Sequence, residues 1–364
     1  MAKRTTYLSW KVKGKSNKFT LIGLLVAVIL FTTATMITAA PIVIKFSHEA
    51  DENSAKGQMA NKFAELVEQR LKSKVVVKVF PDSRLSDDNQ VLEAMLLGNV
   101  QIAAPPLSTL KNYTKSLQIF DLPFLFKDMT AVTAFQQGPI GKKLLMATKK
   151  KGLIGLDFLH NGLKQLSANT PLRVPKDAKQ LKFATTSSNI LAAQFNAIGA
   201  IPLDPPPAEI HTLLQTKAID GQENSWSNIY AKKLYQVQPY ITESNHAVID
   251  DMVITSVEFW IGLPDEIRTE VKKALDEAII FGNKITAKNT AAARLKIIKS
   301  KQSTIIKLSS AERQQWIDAM QPVWKKFAGE IGKEYIDAAI QANNLRDTKK
   351  HELVTAGKRT NGQG

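Results

Sequence analysis

The sequence predicts an α/β protein with two lobes, and three observations lead to this prediction. Strand and helix patterns alternate between residues 42 and 105, and a similar alternation returns between residues 152 and 237. A helical pattern of about thirty residues then follows Pro264. Because no long linker separates the two α/β units, we expect two lobes that share an interface.

The first unit begins directly after Pro41. IVIKFS and VVVKVF are short apolar runs typical of strands, and a helix with candidate caps at Asn53 and Ser54 is predicted between them. Its apolar residues recur at helical spacing: Met59, Phe63, Leu66, Val67 and Leu71. A helix through VLEAMLLG, closed by Gly98, and the strand VQIAAP complete a pattern that favours crossover helices on an open sheet.

The second unit repeats this order of elements. GLIGLDFL and LKFA are predicted strands, and a helix over about residues 188–198 is stopped by Gly199 before the strand AIPL. The sequence then predicts a helix through EIHTLLQT, a tight turn at residues 220–221 and a helix through NIYAKKLYQV. The stretch AIDGQENSWSNIY is therefore expected to join a turn to a helix.

The C-terminal part is predicted to be helical. Pro264 suits the first position of the long helix, and Ser309 with Glu312 forms a capping box before the last helices. The final segment, residues 344–364, is rich in lysine and arginine and is predicted to be a basic disordered tail.

The first forty residues have the composition of an export signal. They contain six lysines and arginines and no acid, and an uncharged run from Phe19 to Ala40 follows the basic leader. The apolar core GLLVAVILF and the small residues of ITAAP are typical of a cleavable signal peptide, with processing near Ala39 or Ala40. The uncharged run is also long enough for a membrane anchor. Both alternatives deliver the following residues outside the cytoplasm, and the signal peptide predicts a periplasmic protein.

Composition excludes several classes of function. Without residues 1–40 the formal net charge falls from +16 to about +10, but the lysines are spread along helices, so we expect a solvated basic surface and no nucleic-acid partner. The absence of cysteine excludes disulfides, thiolate metal sites and a lipidated N-terminal cysteine.

Enzyme and metal signatures are absent from the sequence. The five histidines never occur at metal-ligand spacing, and neither HExxH nor GxSxG is present. GPIGKK lacks the spacing of a phosphate loop and is interpreted as a helix start. The acidic pairs Asp87–Asp88 and Asp250–Asp251 are expected to be solvated in loops. We therefore predict no catalysis, no cofactor and no metal.

Two polar stretches are the candidates for a binding site. AIDGQENSWSNIY is dense in amide and aromatic side chains, which can orient a small polar solute, although a capped helix with Trp226 and Tyr230 in the core explains it equally well. LKFATTSSNI places four hydroxyl residues between a strand and a helix. A helix start of this kind can bind an anion or can serve only as a cap.

Several blocks of the sequence resemble the dicarboxylate-binding branch of the periplasmic solute-binding proteins of TRAP transporters. These blocks are DGQEN followed by SNIYAKKLYQVQ, and VLEAMLLGNVQIAAP, DLPFLF, NGLKQLSAN, AAQFNAIGAIP and ITESNH. The resemblance extends from Ile42 to about Asn343. It implies a two-lobed α/β clamp with a long helix spanning both lobes, which captures a small organic anion and delivers it to the small and large subunits of a sodium-coupled permease.

The resemblance also implies domain boundaries. The first lobe would comprise residues 41–163 and about 253–300, and the second lobe residues 164–252 and about 301–343.

The resemblance implies a set of solute-binding residues. Lys56, Lys164, Asn224 and His246 match family positions at or near the solute. Lys56 is equally well explained as a surface charge on an amphipathic helix, and His246 as a structural histidine between two strands. Thr185, in the hydroxyl run, is expected to offer a hydrogen bond.

Ala184 is a departure from the resembled family. The family usually has arginine at the end of this strand, where its guanidinium binds a carboxylate in bidentate fashion. Nearby, PPAEIH at residues 206–211 replaces a Pro-Phe-Ser-Glu-Val-Tyr pattern, so Pro207 stands for an aromatic residue, and Pro106 replaces a serine. We therefore expect altered specificity for C4-dicarboxylate-like acids. The alternative function is a membrane-anchored sensor or interaction module that retains the clamp without transport.

Overall fold

One long strand connects the two halves of the structure. The structure, a computed structural model, describes residue 6, residues 40–185 and residues 188–344. The predicted signal segment, apart from residues 6 and 40, and the predicted tail beyond residue 344 lie outside the described residues. Both therefore stay predictions.

The described residues form ten strands that follow the predicted α/β alternation. Their bounds are β1 (Ile42–Ser47), β2 (Val75–Phe80), β3 (Ile102–Ala103), β4 (Leu153–Ala168), β5 (Lys182–Ala184), β6 (Ile201–Leu203), β7 (Gly221–Ser225), β8 (Tyr240–Glu243), β9 (Val248–Ser256) and β10 (Thr304–Lys307).

Helices flank these strands. They are α1 (Ala55–Leu71), α2 (Val91–Leu96), α3 (Met129–Gln137), α4 (Pro139–Leu145), α5 (Asn189–Ala197), α6 (Ile210–Gln215), α7 (Trp226–Ala231), α8 (Val257–Gly262), α9 (Asp265–Ser300), α10 (Ser310–Met320) and α11 (Pro322–Ile331). Residues 333–344 are also helical.

The strands pair in the order β2-β1-β3-β9-β4-β7-β5-β6, with β8 joined to β4 and β10. The start of β4 pairs antiparallel with β9, and its end, Lys164–Ala168, pairs antiparallel with β7. The register shifts between His160 and Leu163, and Gly162 there has a φ of +107°. A positive φ of this kind favours glycine. The irregular point lies where the pairing of β4 passes from β9 to β7 and β8, so we define it as the boundary between the first and the second half of the sheet.

Apolar clusters support each half, and a further cluster joins residues of both, among them Phe158 of β4 and Ile190 of α5. In the first half, α1 and the N-terminal part of α9 pack on β1, with Phe46, Met59 and Leu275 fully buried. In the second half, Phe183 of β5 stacks on Phe195 of α5, with ring centroids 4.7 Å apart. Apolar burial of this kind provides most of the stabilisation of the α/β layers.

The helix α9 runs along both halves, as predicted. It contacts α1 and β4 at one end and α7 at the other. Its backbone begins at Asp265, with Pro264 at the N-cap position rather than at the predicted first helical position. Two other predicted helix starts are confirmed, since Ser54 accepts from the Gly57 N–H and Ser309 with Glu312 forms the capping box.

Two local predictions are wrong. The stretch GQENS is the strand β7, so Glu223 and Asn224 lie on a strand and the following helix covers only Trp226–Ala231. Polar residues on β7 are tolerated because β4 and β5 pair with it on either side and satisfy its backbone. In addition, β4 is sixteen residues long and continues through NGLKQLSA, where the sequence predicted a strand only through GLIGLDFL.

Candidate functional site

A buried ionic cluster occupies the junction of β4 and β7. Lys164 Nζ donates to Glu223 Oε1 at 2.8 Å, and Glu223 Oε2 contacts His246 Nε2 at 2.7 Å and accepts from Gln194 Nε2 at 2.6 Å. Ser244 Oγ lies 2.8 Å from His246 Nδ1. All five side chains are buried, so this cluster fixes two of the predicted residues, Lys164 and His246, in a single arrangement.

Glu223 is the ionised centre of this cluster. Burial alone would raise the pKa of its carboxyl group, but the charge of Lys164 and the hydrogen bond from His246 lower that pKa to about 2. Asp121 lies close enough to interact with Lys164 and Glu223, and burial raises its pKa although Lys164 and the bond from Ser188 Oγ oppose the shift. The positive charge of Lys164 is thus already compensated inside the protein.

The strand register places Ala184 and Asn224 on the opposite face of the sheet from Lys164. Leu166 pairs with Glu223, and Ala184 pairs with Gln222. Because successive side chains of a strand alternate between faces, Lys164 and Glu223 share one face while Ala184 and Asn224 share the other. The predicted site residues therefore form two groups on the two faces of one sheet.

Asn224 lines a cavity of about 390 Å³ on this second face. Its side-chain Oδ1 accepts from the Ser225 N–H at 3.0 Å and from Asn228 Nδ2 at 2.7 Å. These two bonds orient the amide so that its NH₂ group is the part left to donate. Ala184 is buried in an apolar cluster beside this cavity.

Thr185 lines a different cavity, of about 640 Å³, that also includes Asp88, Lys111 and Asp204. Its backbone N–H donates to Leu203 O at 2.7 Å, and its Oγ1 donates to the same carbonyl at 3.2 Å. Ser188 caps α5, and its Oγ donates to Asp121 Oδ2 at 2.9 Å. Thr186 and Ser187 of the predicted hydroxyl run lie outside the described residues.

Lys56 belongs to a third group. Its Nζ is buried and lies 2.8 Å from both Glu49 Oε1 and Ala104 O and 3.2 Å from Asp251 Oδ2. Burial opposes its charge, but Asp251 and Glu49 raise its pKa, so Lys56 stays protonated. Burial and repulsion from Glu49 raise the pKa of Asp251 to about 7, although the charge of Lys56 opposes this shift. Lys56 borders a cavity of about 630 Å³ that reaches α7 and α9.

Two interpretations of charged residues are corrected by these contacts. Lys56 is not an exposed surface charge, and Asp250 and Asp251 are not solvated in a loop, since both lie buried on β9. Asp250 accepts from Gln136 Nε2 at 2.8 Å and contacts His160 Nδ1 at 2.8 Å. Burial becomes possible because each carboxylate has hydrogen-bonding partners from other elements.

Asp88→Asn is expected to stabilise the protein at pH 7.5 by about 1 to 3 kcal/mol, since one pKa unit corresponds to about 1.4 kcal/mol. Burial and repulsion from Glu49 raise the pKa of Asp88 to about 6. The folded protein therefore binds this proton more tightly than the unfolded chain does, and stability falls as pH rises from about 4 to about 6. Urea unfolding at pH 4 and at pH 7.5 measures the difference.

The control for Asp88 is Glu68→Gln, which removes an exposed carboxylate on α1. If Asp88→Asn changes stability no more than Glu68→Gln does at pH 7.5, then the ionised Asp88 carboxylate does not destabilise the folded state.

Neither a metal centre nor a membrane span is found in the part of the chain that the structure describes. Within it, no group of three or more histidine, aspartate or glutamate side chains is arranged to hold a metal ion. No helix among the same residues combines the length and the apolar composition needed to cross a bilayer.

Sequence reasoning missed several residues of these clusters. Glu223 carries no sequence signal as the partner of Lys164, because only the pairing of β4 with β7 brings the two side chains together. Gln194 was missed because it lies on an apolar helix face. His211 and Lys232, which line the cavity beside Asn224, carry no sequence signal beyond the changed pattern at residues 206–211.

Comparison with known proteins identifies the family of the chain. The model of the family described as "Bacterial extracellular solute-binding protein, family 7" matches residues 46–330. The C4-dicarboxylate-binding periplasmic protein DctP of Shewanella loihica is 54% identical over 84% of this chain and 91% of its own length. DctP of Vibrio cholerae is 45% identical over 88% of this chain and 96% of its own length.

Solved structures of similar sequence share this fold. A TRAP periplasmic solute-binding protein of Shewanella oneidensis with bound succinate is 57% identical, with a TM-score of 0.79 over 84% of this chain and 100% of that chain. The corresponding protein of Pseudomonas aeruginosa with bound L-malate is 41% identical, with a TM-score of 0.74 over 79% of this chain and 100% of that chain. The predicted two-lobed α/β fold is confirmed, and the chain belongs to family 7 of the bacterial extracellular solute-binding proteins.

Proposed function

We propose that this protein captures a small organic acid resembling a C4-dicarboxylate between its two lobes and delivers it to a TRAP permease. The observation that supports this proposal most directly is that relatives of 57% and 41% identity, matched over their whole length, bind succinate and L-malate. Asn224 supports the same proposal, because it lines a cavity next to the end of β7 and its amide NH₂ group is left to donate.

Binding is proposed to stabilise a closed arrangement of the lobes. The helix α9 is bonded to the first half through Asn283 Oδ1, which accepts from the His160 N–H at 2.8 Å, and through Thr286 Oγ1, which donates to His160 O at 3.0 Å. It is bonded to the second half through Arg294, which forms a bidentate pair with Glu243 at 2.7 and 2.9 Å.

These two sets of bonds lie on either side of the irregular point of β4. Rotation about Gly162 and bending of α9 between residues 286 and 294 would therefore move one half relative to the other. A solute that contacts both halves favours the closed form by its additional contacts there.

Succinate or L-malate is expected to raise the thermal stability of the purified protein. A ligand at about 100 times its Kd adds about 2.7 kcal/mol to the free energy of unfolding. Differential scanning fluorimetry with dicarboxylates, sugar acids and keto acids, and with neutral amides of the same size, measures this effect. If no acid raises the unfolding temperature more than the neutral amides do, the proposed function is wrong.

Export and a membrane partner are part of the same proposal. We infer a periplasmic location from the N-terminal signal and from the family, and we infer the small and large permease subunits from the resemblance to TRAP systems. The comparisons favour transport over the anchored sensor module. The mass of the mature N-terminus separates a cleaved signal peptide from an anchor, because processing near Ala40 removes the basic leader.

A further inference from the structure

The cavity beside Asn224 differs in charge from the other cavities near the junction. Its seven lining residues are Pro207, Ala208, Ile210, His211, Asn224, Lys232 and Leu234, which include a lysine and a histidine but no carboxylate. The linings of the other two cavities contain acids as well as lysines. The cavity at Thr185 has Asp88, Glu93 and Asp204 beside Lys111 and Lys151, and the cavity at Lys56 has Glu49 and Asp251 beside Lys56, Lys232 and Lys296. Among these three cavities, the one beside Asn224 is therefore the one whose lining has no carboxylate to repel an anion.

Three polar groups converge on this cavity from different elements. His211 lies in the first turn of α6, Asn224 near the end of β7, and Lys232 at the C-cap of α7. Asn224 contributes the NH₂ donor of an amide whose oxygen is already bonded to Ser225 and Asn228. An ammonium group, an imidazole and an amide NH₂ are a donor set that suits a carboxylate.

The apolar part of the lining fits the rest of a short organic acid. Pro207, Ile210 and Leu234 provide it, and the volume of about 390 Å³ leaves room for a small solute and water. Ile210 and Leu234 also pack in the same apolar cluster as Ala184. Ala184 and Asn224 share a face of the sheet, so the uncharged side chain at the end of β5 lies on the same face as the cavity lined by Lys232 and His211.

Lys164 is poorly placed to hold the same carboxylate alone. It lies on the opposite face of the sheet, and its ammonium group is 2.8 Å from the ionised Glu223. A solute carboxylate at Lys164 would add a second negative charge beside Glu223 in a buried environment, which is costly without another cation.

We propose that His211, Lys232 and the amide of Asn224 form the subsite that binds a carboxylate of the solute, in a protein whose strand β5 ends in Ala184. This inference rests on the proposed function and specifies where the acid is recognised. His211 and Lys232 are then specificity-determining residues.

Lys232→Gln and His211→Gln test this subsite by titration calorimetry of the purified protein with succinate and L-malate at low salt. Each substitution is expected to raise Kd about tenfold or more, because it removes a charge-assisted contact to the carboxylate. The matched control is Lys233→Gln, which removes a neighbouring lysine that is exposed like Lys232 but does not line the cavity, and it is expected to leave Kd within about twofold. Thermal unfolding without ligand verifies that each variant is folded.

A second titration identifies the group that the subsite contacts. Succinamide lacks both carboxylates, so Lys232→Gln should weaken its binding less than it weakens binding of succinate, as in a double-mutant cycle. If the wild-type protein binds succinate or L-malate and both variants bind with unchanged Kd, the subsite is wrong and the proposed function stands. If the wild-type protein binds no organic acid, the proposed function fails and the subsite with it.

Discussion

Glu223→Gln is expected to lower the free energy of unfolding by about 3 to 5 kcal/mol, the usual cost of removing one partner from a buried ion pair. The substitution keeps the size of the side chain but leaves Lys164 buried beside a neutral amide. It also replaces an oxygen that contacts His246 and accepts from Gln194, so two further buried groups lose a charged partner. The loss is measured by urea unfolding at pH 7.

The same carboxylate gives the prediction a pH dependence. The pKa of Glu223 is lowered to about 2 in the folded protein, so its contribution to stability is fully present above the pKa of the unfolded chain, about 4.3. That contribution is lost as pH falls from about 4.3 to 2. Wild type and Glu223→Gln should therefore differ most near pH 7 and approach each other in stability near pH 2.

Glu334→Gln is the control for an exposed pair. Glu334 and Lys143 are 3.5 Å apart and more than half exposed, so breaking their pair should cost less than about 1 kcal/mol. The double variant Lys164→Met/Glu223→Gln should recover part of the stability, because it no longer buries an uncompensated ammonium group. A loss below about 1 kcal/mol in Glu223→Gln alone would show that Glu223 is not the charge that holds Lys164.

Much of the fold could be predicted from the sequence because apolar periodicity and helix caps are local. The helix α9 and the capping box at Ser309 follow directly from such patterns. The strand β7 could not be recognised, since GQENS contains no apolar residue and its stability comes from pairing with β4 and β5. Tertiary pairing, rather than local propensity, decides the conformation of such a segment.

The site was only partly predictable for a related reason. The family resemblance predicts Lys164 and Asn224 as solute-binding residues, but the distribution of the two residues over opposite sheet faces depends on the register of β7. Asp251 was expected to be solvated because adjacent acids usually are, yet Lys56 from another element makes its burial possible. His211 and Lys232 are ordinary polar residues in the sequence, and only the fold brings them to one cavity.

Ala184→Arg is expected to tighten succinate and L-malate binding by about 30-fold or more. A bidentate charge-assisted contact contributes at least about 2 kcal/mol, which corresponds to that change in Kd. Ala184 shares a face with Asn224 and packs beside Ile210 and Leu234, which line the cavity of about 390 Å³. An arginine at this position has the length to extend into that cavity. Its burial should cost about 1 to 3 kcal/mol in stability through crowding of the apolar cluster.

Ala184→Met is the matched control, because it adds an unbranched side chain without charge at the same place. Titration calorimetry should show a lower Kd for the arginine variant and not for the methionine variant. The unfolding temperature should fall in both variants, because both crowd the apolar cluster. In Ala184→Arg, the further substitution Lys232→Gln should weaken binding less than it does in wild type, since two cations near one carboxylate are partly redundant. Equal affinities for the arginine and methionine variants would mean that the carboxylate does not bind on this face. The cavity at Lys56 and the ionic cluster of Lys164, Glu223 and His246 would then be the places left to test, and binding at the ionic cluster would require an added proton to balance the charge.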